Sequence, residues 1–431
     1  MTPLLPLAFS LDAQAVPFQR TDATFVAQRK RVVLGHKTGL GKTFISLLAW
    51  SQLPDVRRVL IVGSLSSINT WKRQLKQWGG AEAVAMVGSG DPAWAQVQGK
   101  GSGIWLCTYA TAKLLLDKSL KHVSVDLLIC DELHKALRNR TATWKAIKKI
   151  DSTYFFGLTG TWASKGPQDL WPILNIIDHR LFSSYWRFVD TYCFVNDASF
   201  GKEVFGVRNG DKLKAMMSAL YYRTRTWKEV SKQFLKYDLE DEPVIRRTEI
   251  VPMDDTQSRI HSGMMLKMEA IYGKDVCLAQ NSLDRLTRGL QISLSPQLLF
   301  DDAPVGGPIT WLVDRLMELD AAVVFVPYKE LTNIVARHLH SCGDEKRLYS
   351  LFGGLSPDVC DATIAEWKLR KGIIFCTISY AQSFALDIAD NAYFLGFDWD
   401  PNNNIQAEGR LRRMDSRFDC PCLCTYIVPE G

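Results

Sequence analysis

Short apolar, β-branched runs alternate with amphipathic stretches along this chain, and that alternation limits the folds open to it. Candidate strands lie at residues 31–35, 59–63, 104–108, 127–130 and 155–159. Helical patterns at 42–50 and 69–78 fall between them. Apolar runs without a polar alternation are buried on both faces. A parallel sheet meets that need, because each crossover helix covers a face. The expected class is α/β with parallel sheets.

The pattern changes after residue 165. Residues 168–236 are aromatic and basic and read as largely helical, a polar acidic stretch follows at 238–243, and 256–300 again reads as helical. Strand-helix alternation resumes at 322–326, 372–377, 392–396 and 424–428. With 431 residues and about 150 per domain, two α/β lobes are expected. The first spans 1–237 with a helical insertion at about 168–236, and the second spans 238–431 with one at about 256–300.

Charge permits a polyanionic partner without requiring one. The net charge is +6, and clustering matters more than the total. The clearest excess is Lys202, Arg208, Lys212, Lys214, Arg223, Arg225, Lys228, Lys232 and Lys236 against Glu203, Asp211 and Glu229. A solvated helical face explains it as well as a nucleic-acid contact does. Ten cysteines without paired spacing indicate reduced thiols in an intracellular, cytoplasmic setting. Cys420, Cys422 and Cys424 alternate along a strand pattern, so a buried strand face is expected rather than a four-ligand zinc site. The opening residues lack the basic start of a signal peptide, and no run of apolar residues is long enough to span a membrane.

Residues 31–44 place a β-rich run before a Gly-rich turn and a helix pattern, the context of a phosphate loop. The turn holds Thr38, Gly39, Leu40 and Gly41, whose backbone N–H groups can approach phosphate oxygens. Lys42 can reach β- and γ-phosphates, and Thr43 offers a hydroxyl to magnesium. His36 stands where the strict pattern has Gly. An ordinary Gly-rich turn before a helix is the plainer alternative.

Asp131 and Glu132 end a buried apolar run, where open parallel sheets bind ligands. Asp131 suits a metal and Glu132 a general base, with His134 close by. Taken alone, the pair also fits a helix start with carboxylates in its first turn. Near the end, Gln406, Arg410 and Arg413 fall at i, i+4 and i+7, which on a helix is one face. Such a stripe suits arginine fingers or a basic surface helix. Arg412 lies off it and has no assigned role.

With these motifs in order, the chain resembles superfamily-two helicases, and specifically the Swi/Snf-type branch, in a compact form similar to bacterial or phage versions and to annealing helicases. Further residues carry the resemblance. Pro17-Phe18-Gln19-Arg20 resembles the glutamine motif, where Gln19 would read adenine. Residues 60–62 and 69–72 resemble motif Ia, Thr108-Tyr109 motif Ib, and Leu158-Thr159-Gly160-Thr161 motif III. Asp131-Glu132-Leu133-His134 with Arg138-Asn139 is similar to motif II and its trailing residues. In the second half, 323–326 resembles motif IV, Gly353-Gly354 a DNA-tracking glycine pair, and 397–401 the stretch before motif VI. Ser64, Leu133 and Tyr380-Ala381-Gln382-Ser383 depart from the family pattern.

The resemblance implies two RecA-like lobes that bind ATP and Mg2+ between them. Gln19, Thr38, Gly39, Leu40, Gly41, Lys42 and Thr43 would hold the nucleotide, and Thr43 and Asp131 the metal. Lys42, Asp131, Glu132, Gln406, Arg410 and Arg413 would serve catalysis. Trp71, Lys72, Thr108, Gly354 and Thr377 would meet nucleic acid. The implied partner is double-stranded DNA, branched or forked DNA included, along which a monomer translocates. A strand-separating DNA or RNA helicase and a non-hydrolysing DNA-binding regulatory module are the alternatives.

Overall fold

The computed structural model describes residues 12–79, 82–86, 92–118, 123–136, 141–160, 166–198, 201–235, 239, 242–381, 384–414 and 420–430. The chain divides into two compact units, Met1–Asp241 and Glu242–Gly431. The expected lobe boundary between residues 237 and 238 falls four residues before that division.

The first unit contains β1 (Arg31–Leu34), β2 (Arg58–Gly63), β3 (Val84–Ala85), β4 (Gly103–Thr108), β5 (Val123–Cys130), β6 (Ile150–Leu158), β7 (Cys193–Ala198), β8 (Gly201–Val207) and β9 (Tyr222–Arg223). Seven of these form one sheet in the order β3-β4-β2-β5-β6-β1-β9, with every pairing parallel. Leu34 stands beside Leu158, Gly157 beside Cys130, Cys130 beside Val62, and Gly63 beside Thr108. The carboxyl ends of these strands therefore share one edge.

Helices cover the sheet as the apolar runs demand. The helix Lys42–Ser51 buries Ile45, Leu47, Leu48, Ala49 and Trp50. The helix Leu65–Gly79 is amphipathic and buries Ile68, Trp71 and Leu75, a one-sided stripe. Leu133 is fully buried beside Gly157, where an added Cβ would lie 2.7 Å from its side chain. The bulky Leu133 is accommodated there because Gly157 has no side chain.

The second unit contains β10 (Val244–Pro252), β11 (Glu269–Tyr272), β12 (Asp275–Leu278), β13 (Ala321–Val326), β14 (Leu348–Leu351), β15 (Gly372–Thr377), β16 (Asn391–Leu395) and β17 (Cys422–Glu430). Its sheet runs β10-β17-β16-β13-β15-β14, again all parallel. Register sets Phe325 beside Phe394 and Phe394 beside Tyr426. Their ring centroids are 4.5 and 4.4 Å apart, an aromatic ladder through the core.

Both insertions differ from the helical expectation, because each contains an antiparallel hairpin. In the first, β7 pairs β8 among helices that include Tyr185–Tyr192 and Gly210–Leu220. In the second, β11 pairs β12 between the helices Asp255–Lys267 and Ser282–Leu294. Gly273, at φ 61°, turns the second hairpin in a conformation that a Cβ disfavours.

Cys422 and Cys424 are buried on β17, whereas Cys420 precedes the strand and is exposed, so the three do not share one face. Among the described residues no cluster of His, Cys, Asp and Glu is arranged to hold a metal ion, and no helix is long and apolar enough to cross a membrane.

Removing the middle ring of the aromatic ladder tests the second core. Phe394→Ala should cost about 3–5 kcal/mol, read as earlier unfolding in urea of the transition that Trp367 reports, while the first unit's transition is unchanged.

Candidate active site

The turn after β1 is built around two left-handed glycines. Gly39 and Gly41 hold φ of 87° and 75°, which side chains with a Cβ rarely adopt. A Cβ on Gly41 would lie 2.7 Å from Gln19 Nε2, so the bare backbone lets the buried Gln19 amide reach the loop. Gln19 comes from the helix Pro17–Arg29, and its Oε1 accepts from Val16 N at 3.3 Å. Leu40 is fully buried and anchors the turn. The helix Lys42–Ser51 starts directly after Gly41, so its first N–H groups and the positive end of its dipole face the turn. Thr43 lies in that first turn. Lys42 Nζ donates to the His36 carbonyl at 2.9 Å.

The end of β6 packs against this loop. A Cβ on Gly160 would stand 3.2 Å from Thr38 Oγ1 and 3.7 Å from Lys42 Nζ. Beside it, Thr159 Oγ1 lies 2.8 Å from His134 Nδ1, which is 3.6 Å from Glu132 Oε2. Residues expected to act as separate motifs are thus brought together within one unit.

The acidic pair is tightly fixed. Asp131 N donates to the Val62 carbonyl, and the Tyr109 hydroxyl donates to the Asp131 carbonyl, each at 2.8 Å. Trp71 Nε1 donates to Asp131 Oδ2 at 3.1 Å, and Glu132 N to Oδ1 at 2.9 Å. Burial, followed by the charge of Glu132, raises the Asp131 carboxyl above its usual range, and the Trp71 bond and the Lys42 charge offset part of that. Glu132 has φ 50°. For a residue with a side chain this strain is on the order of 1–3 kcal/mol, and it concentrates at functional sites. An ammonium, a helix N-terminus and two carboxylates at one sheet edge suit a polyphosphate with a divalent cation.

The sequence reading missed the support behind the loop. Residues 221–227 run alongside it: Gly35 N donates to the Arg223 carbonyl at 2.8 Å and Lys37 N to the Arg225 carbonyl at 3.0 Å. Thr224 Oγ1 donates to the Gly35 carbonyl at 2.9 Å, and Trp227 Nε1 to the Thr38 carbonyl at 3.0 Å. Arg223 and Arg225, counted within the basic excess, pair with the enclosed Asp22, so a solvated face does not describe them. The available signal was Asp22 at i+3 from Gln19, one turn along the same helix.

In the second unit the expected arginine stripe is corrected. The helix Pro401–Glu408 stops at Glu408, with Gly409 following, so Arg410 and Arg413 lie beyond it. Glycine after a periodic run ends helices, and spacing alone overlooked that stop. Gln406 is buried on the helix. Glu408 accepts two bonds from Arg246, at 2.8 and 2.6 Å, and one from the Tyr426 hydroxyl at 2.6 Å. The Leu386 N–H donates to the Arg410 carbonyl at 2.9 Å. Arg412, left without a role, is buried and donates to the Cys420 and Ala389 carbonyls and to Asp390, fixing the turn.

Of the expected nucleic-acid contacts, Trp71 is also corrected. It is 0 % exposed and its indole serves Asp131, while the adjacent Lys72 is exposed. Thr108 caps the helix Tyr109–Lys118, its Oγ1 accepting from Thr111 N at 3.1 Å. Gly354 holds φ 99° with open space around it, and Thr377 ends β15. The Tyr380 hydroxyl donates to the Leu355 carbonyl at 3.4 Å, tying the altered segment to the loop after Gly354. Arg138, Asn139, Thr161, Gln382 and Ser383 lie outside the described residues.

Two α/β units with all-parallel main sheets, the first with a phosphate loop and an acidic pair on one sheet edge, define the class of proteins with twin RecA-like lobes. The SNF2-related domain matches residues 18–288, and the chain belongs to that family. It is 20% identical over 430 residues to the SWI/SNF-related matrix-associated actin-dependent regulator of chromatin subfamily A-like protein 1 of Drosophila melanogaster, covering 97% of this chain and 53% of that protein. It is 23% identical over 438 residues to the chromodomain-helicase-DNA-binding protein 1 of Gallus gallus, covering 89% of this chain and 23% of that protein. The chain thus spans about half, or less, of the length of the curated relatives it matches. In fold it is similar to the Hef helicase domain of Pyrococcus furiosus, with a TM-score of 0.55, 13% identity, and coverage of 99% of this chain and 97% of that one.

The raised Asp131 carboxyl gives a test with a definite sign. A group with a raised native pKa stabilises most when protonated, and that contribution is lost as pH rises through the native value. At neutral pH the wild type therefore carries the cost of a buried carboxylate that Asp131→Asn lacks. The wild type should gain stability relative to Asp131→Asn as pH falls toward the carboxylate range, read from melting curves of both across pH.

Proposed function

We propose that this chain is a DNA-dependent ATPase that couples ATP hydrolysis to movement along double-stranded DNA. The observation that carries the reading is the convergence of Gln19, Gly41, Lys42, Asp131 and Glu132 along the carboxyl edge of the first sheet. Gln19, Thr38, Gly39, Leu40 and Gly41 would receive the nucleotide, and Lys42 its terminal phosphates. Thr43 and Asp131 suit magnesium, which takes hard oxygen ligands. Glu132 would orient and deprotonate the attacking water. Arg410 and Arg413 would supply cationic stabilisation of the transferred phosphoryl group, with Gln406 as a neutral hydrogen-bonding partner.

Family membership supports the ATPase reading, and DNA binding in the name of the Gallus gallus relative supports the partner. Lys72, Thr108, Gly354 and Thr377 would follow the DNA backbone, which is contacted through phosphates and so without sequence preference. Closure and reopening of the two lobes would convert each hydrolysis into a step.

ATP turnover should rise with linear duplex DNA and fall about 100-fold or more in Glu132→Gln, the usual loss for a missing general base. Stronger stimulation by single-stranded DNA or RNA would replace the duplex reading with a strand-separating one. Unchanged turnover in Glu132→Gln would remove the assigned base. No turnover in the wild type with any nucleic acid would leave a regulatory DNA-binding module.

A further inference from the structure

Asp22 is 0 % exposed, and the roles assigned above do not use it. Burying a carboxylate is costly unless it is paired and hydrogen-bonded. Here it accepts from His36 Nε2 at 3.0 Å, from Arg223 Nε at 2.7 Å, and from Arg225 Nε and NH2 at 2.8 Å each. Burial works to raise its carboxyl, but the bonds from His36, Arg225 and Arg223 outweigh that and hold it well below the usual range. Burial also pulls His36 down, so its ring acts as a neutral N–H donor near pH 7.

Each of these donors belongs to a segment that touches the phosphate loop. His36 is part of it, and Arg223 and Arg225 receive loop N–H groups on their carbonyls. Gln19, one turn earlier on the helix that carries Asp22, lies against Gly41 at the loop's other end. His36 also holds Lys42 Nζ through its own carbonyl. A carboxylate that only joined a helix to a strand would not control that ammonium; this one is a single residue removed from it.

We infer that Asp22 and His36 are positioning residues for the nucleotide site: Asp22 fixes His36, and His36 sets where the Lys42 ammonium stands. The inference rests on the ATP reading above and deepens it. Two guanidinium groups against one carboxylate also leave positive charge behind the loop, which favours an anion in front of it.

A double-mutant cycle on the 431-residue chain separates positioning from mere stability. Affinity for a fluorescent ADP analogue is titrated for the wild type, Asp22→Asn, Lys42→Ala and the double variant, with melting curves on each. Asp22→Asn should weaken binding about tenfold, the equivalent of about 1.4 kcal/mol. The double variant should bind no more weakly than Lys42→Ala alone, because residues acting through one another are not additive. His36→Ala should repeat the loss, and His36→Gln, which keeps an amide donor, should restore most of it. If Asp22→Asn does not fold, His36→Ala runs the same cycle. Additive losses, or wild-type affinity in both Asp22→Asn and His36→Ala, overturn the inference while the ATP reading stands. Wild-type affinity in Lys42→Ala overturns the ATP reading itself.

Discussion

A sheet buried on both faces tolerates charge only where its strands end. That constraint governs the first unit. Strands β1, β2, β5 and β6 are apolar over their last three residues, so the chemistry at their carboxyl edge lies just beyond them. Parallel pairing then aligns those ends. The Gly-rich turn, the acidic pair and Thr159–Gly160 become neighbours although they are far apart in sequence. At such an edge the helix N-terminus supplies donors and the sheet supplies rigidity.

Packing near that edge is as directed as the chemistry on it. Two helices that follow the strands start from hydroxyl residues: Ser64 caps one through Ser67, and Thr108 caps the next through Thr111. Serine at position 64 departs from the family pattern yet performs a helix start well. Trp71 and Tyr109, from those two helices, then fix the side chain and carbonyl of Asp131. Residues that a motif comparison assigns to DNA contact here include one whose geometry serves the acidic pair.

Nine of the parallel strands were legible because buried runs of Val, Ile and Leu leave an apolar signature, whereas β3, β9, β10 and β14, short or only partly buried, were not. The phosphate loop and the acidic pair were legible because their residue types and order are restrictive. The hairpins were not. Phe194, Phe205 and Val207 are exposed, so β7 and β8 lack the inside-outside contrast that marks a strand, and a basic, aromatic composition reads equally well as helix. The end of the Pro401–Glu408 helix was overlooked because a three-residue spacing rule does not register Gly409. Asp22 was overlooked for a different reason: its arginine partners lie 201 and 203 residues away in sequence, and a charged residue on a helix is normally solvated.

The pairing of β10 with β17 bears on how the second unit comes into being. β10 opens that unit, directly after Glu242, and among the described residues its only sheet neighbour is β17, matched residue for residue from Val244 to Glu430. Emerging from a ribosome, β10 would wait for nearly all of the unit before its backbone groups found that partner. Its exposed Ile245 and Ile250 flank Arg246, Arg247 and Glu249, and such charges discourage an unpaired strand from joining another chain. In the first unit, β1 meets its earliest sheet neighbour, β6, 124 residues later (Arg31 beside Phe155), against 178 for β10 and β17 (Val244 beside Cys422). Synthesis would therefore complete the phosphate-binding half early and leave the arginine-bearing half open until its last strand arrives.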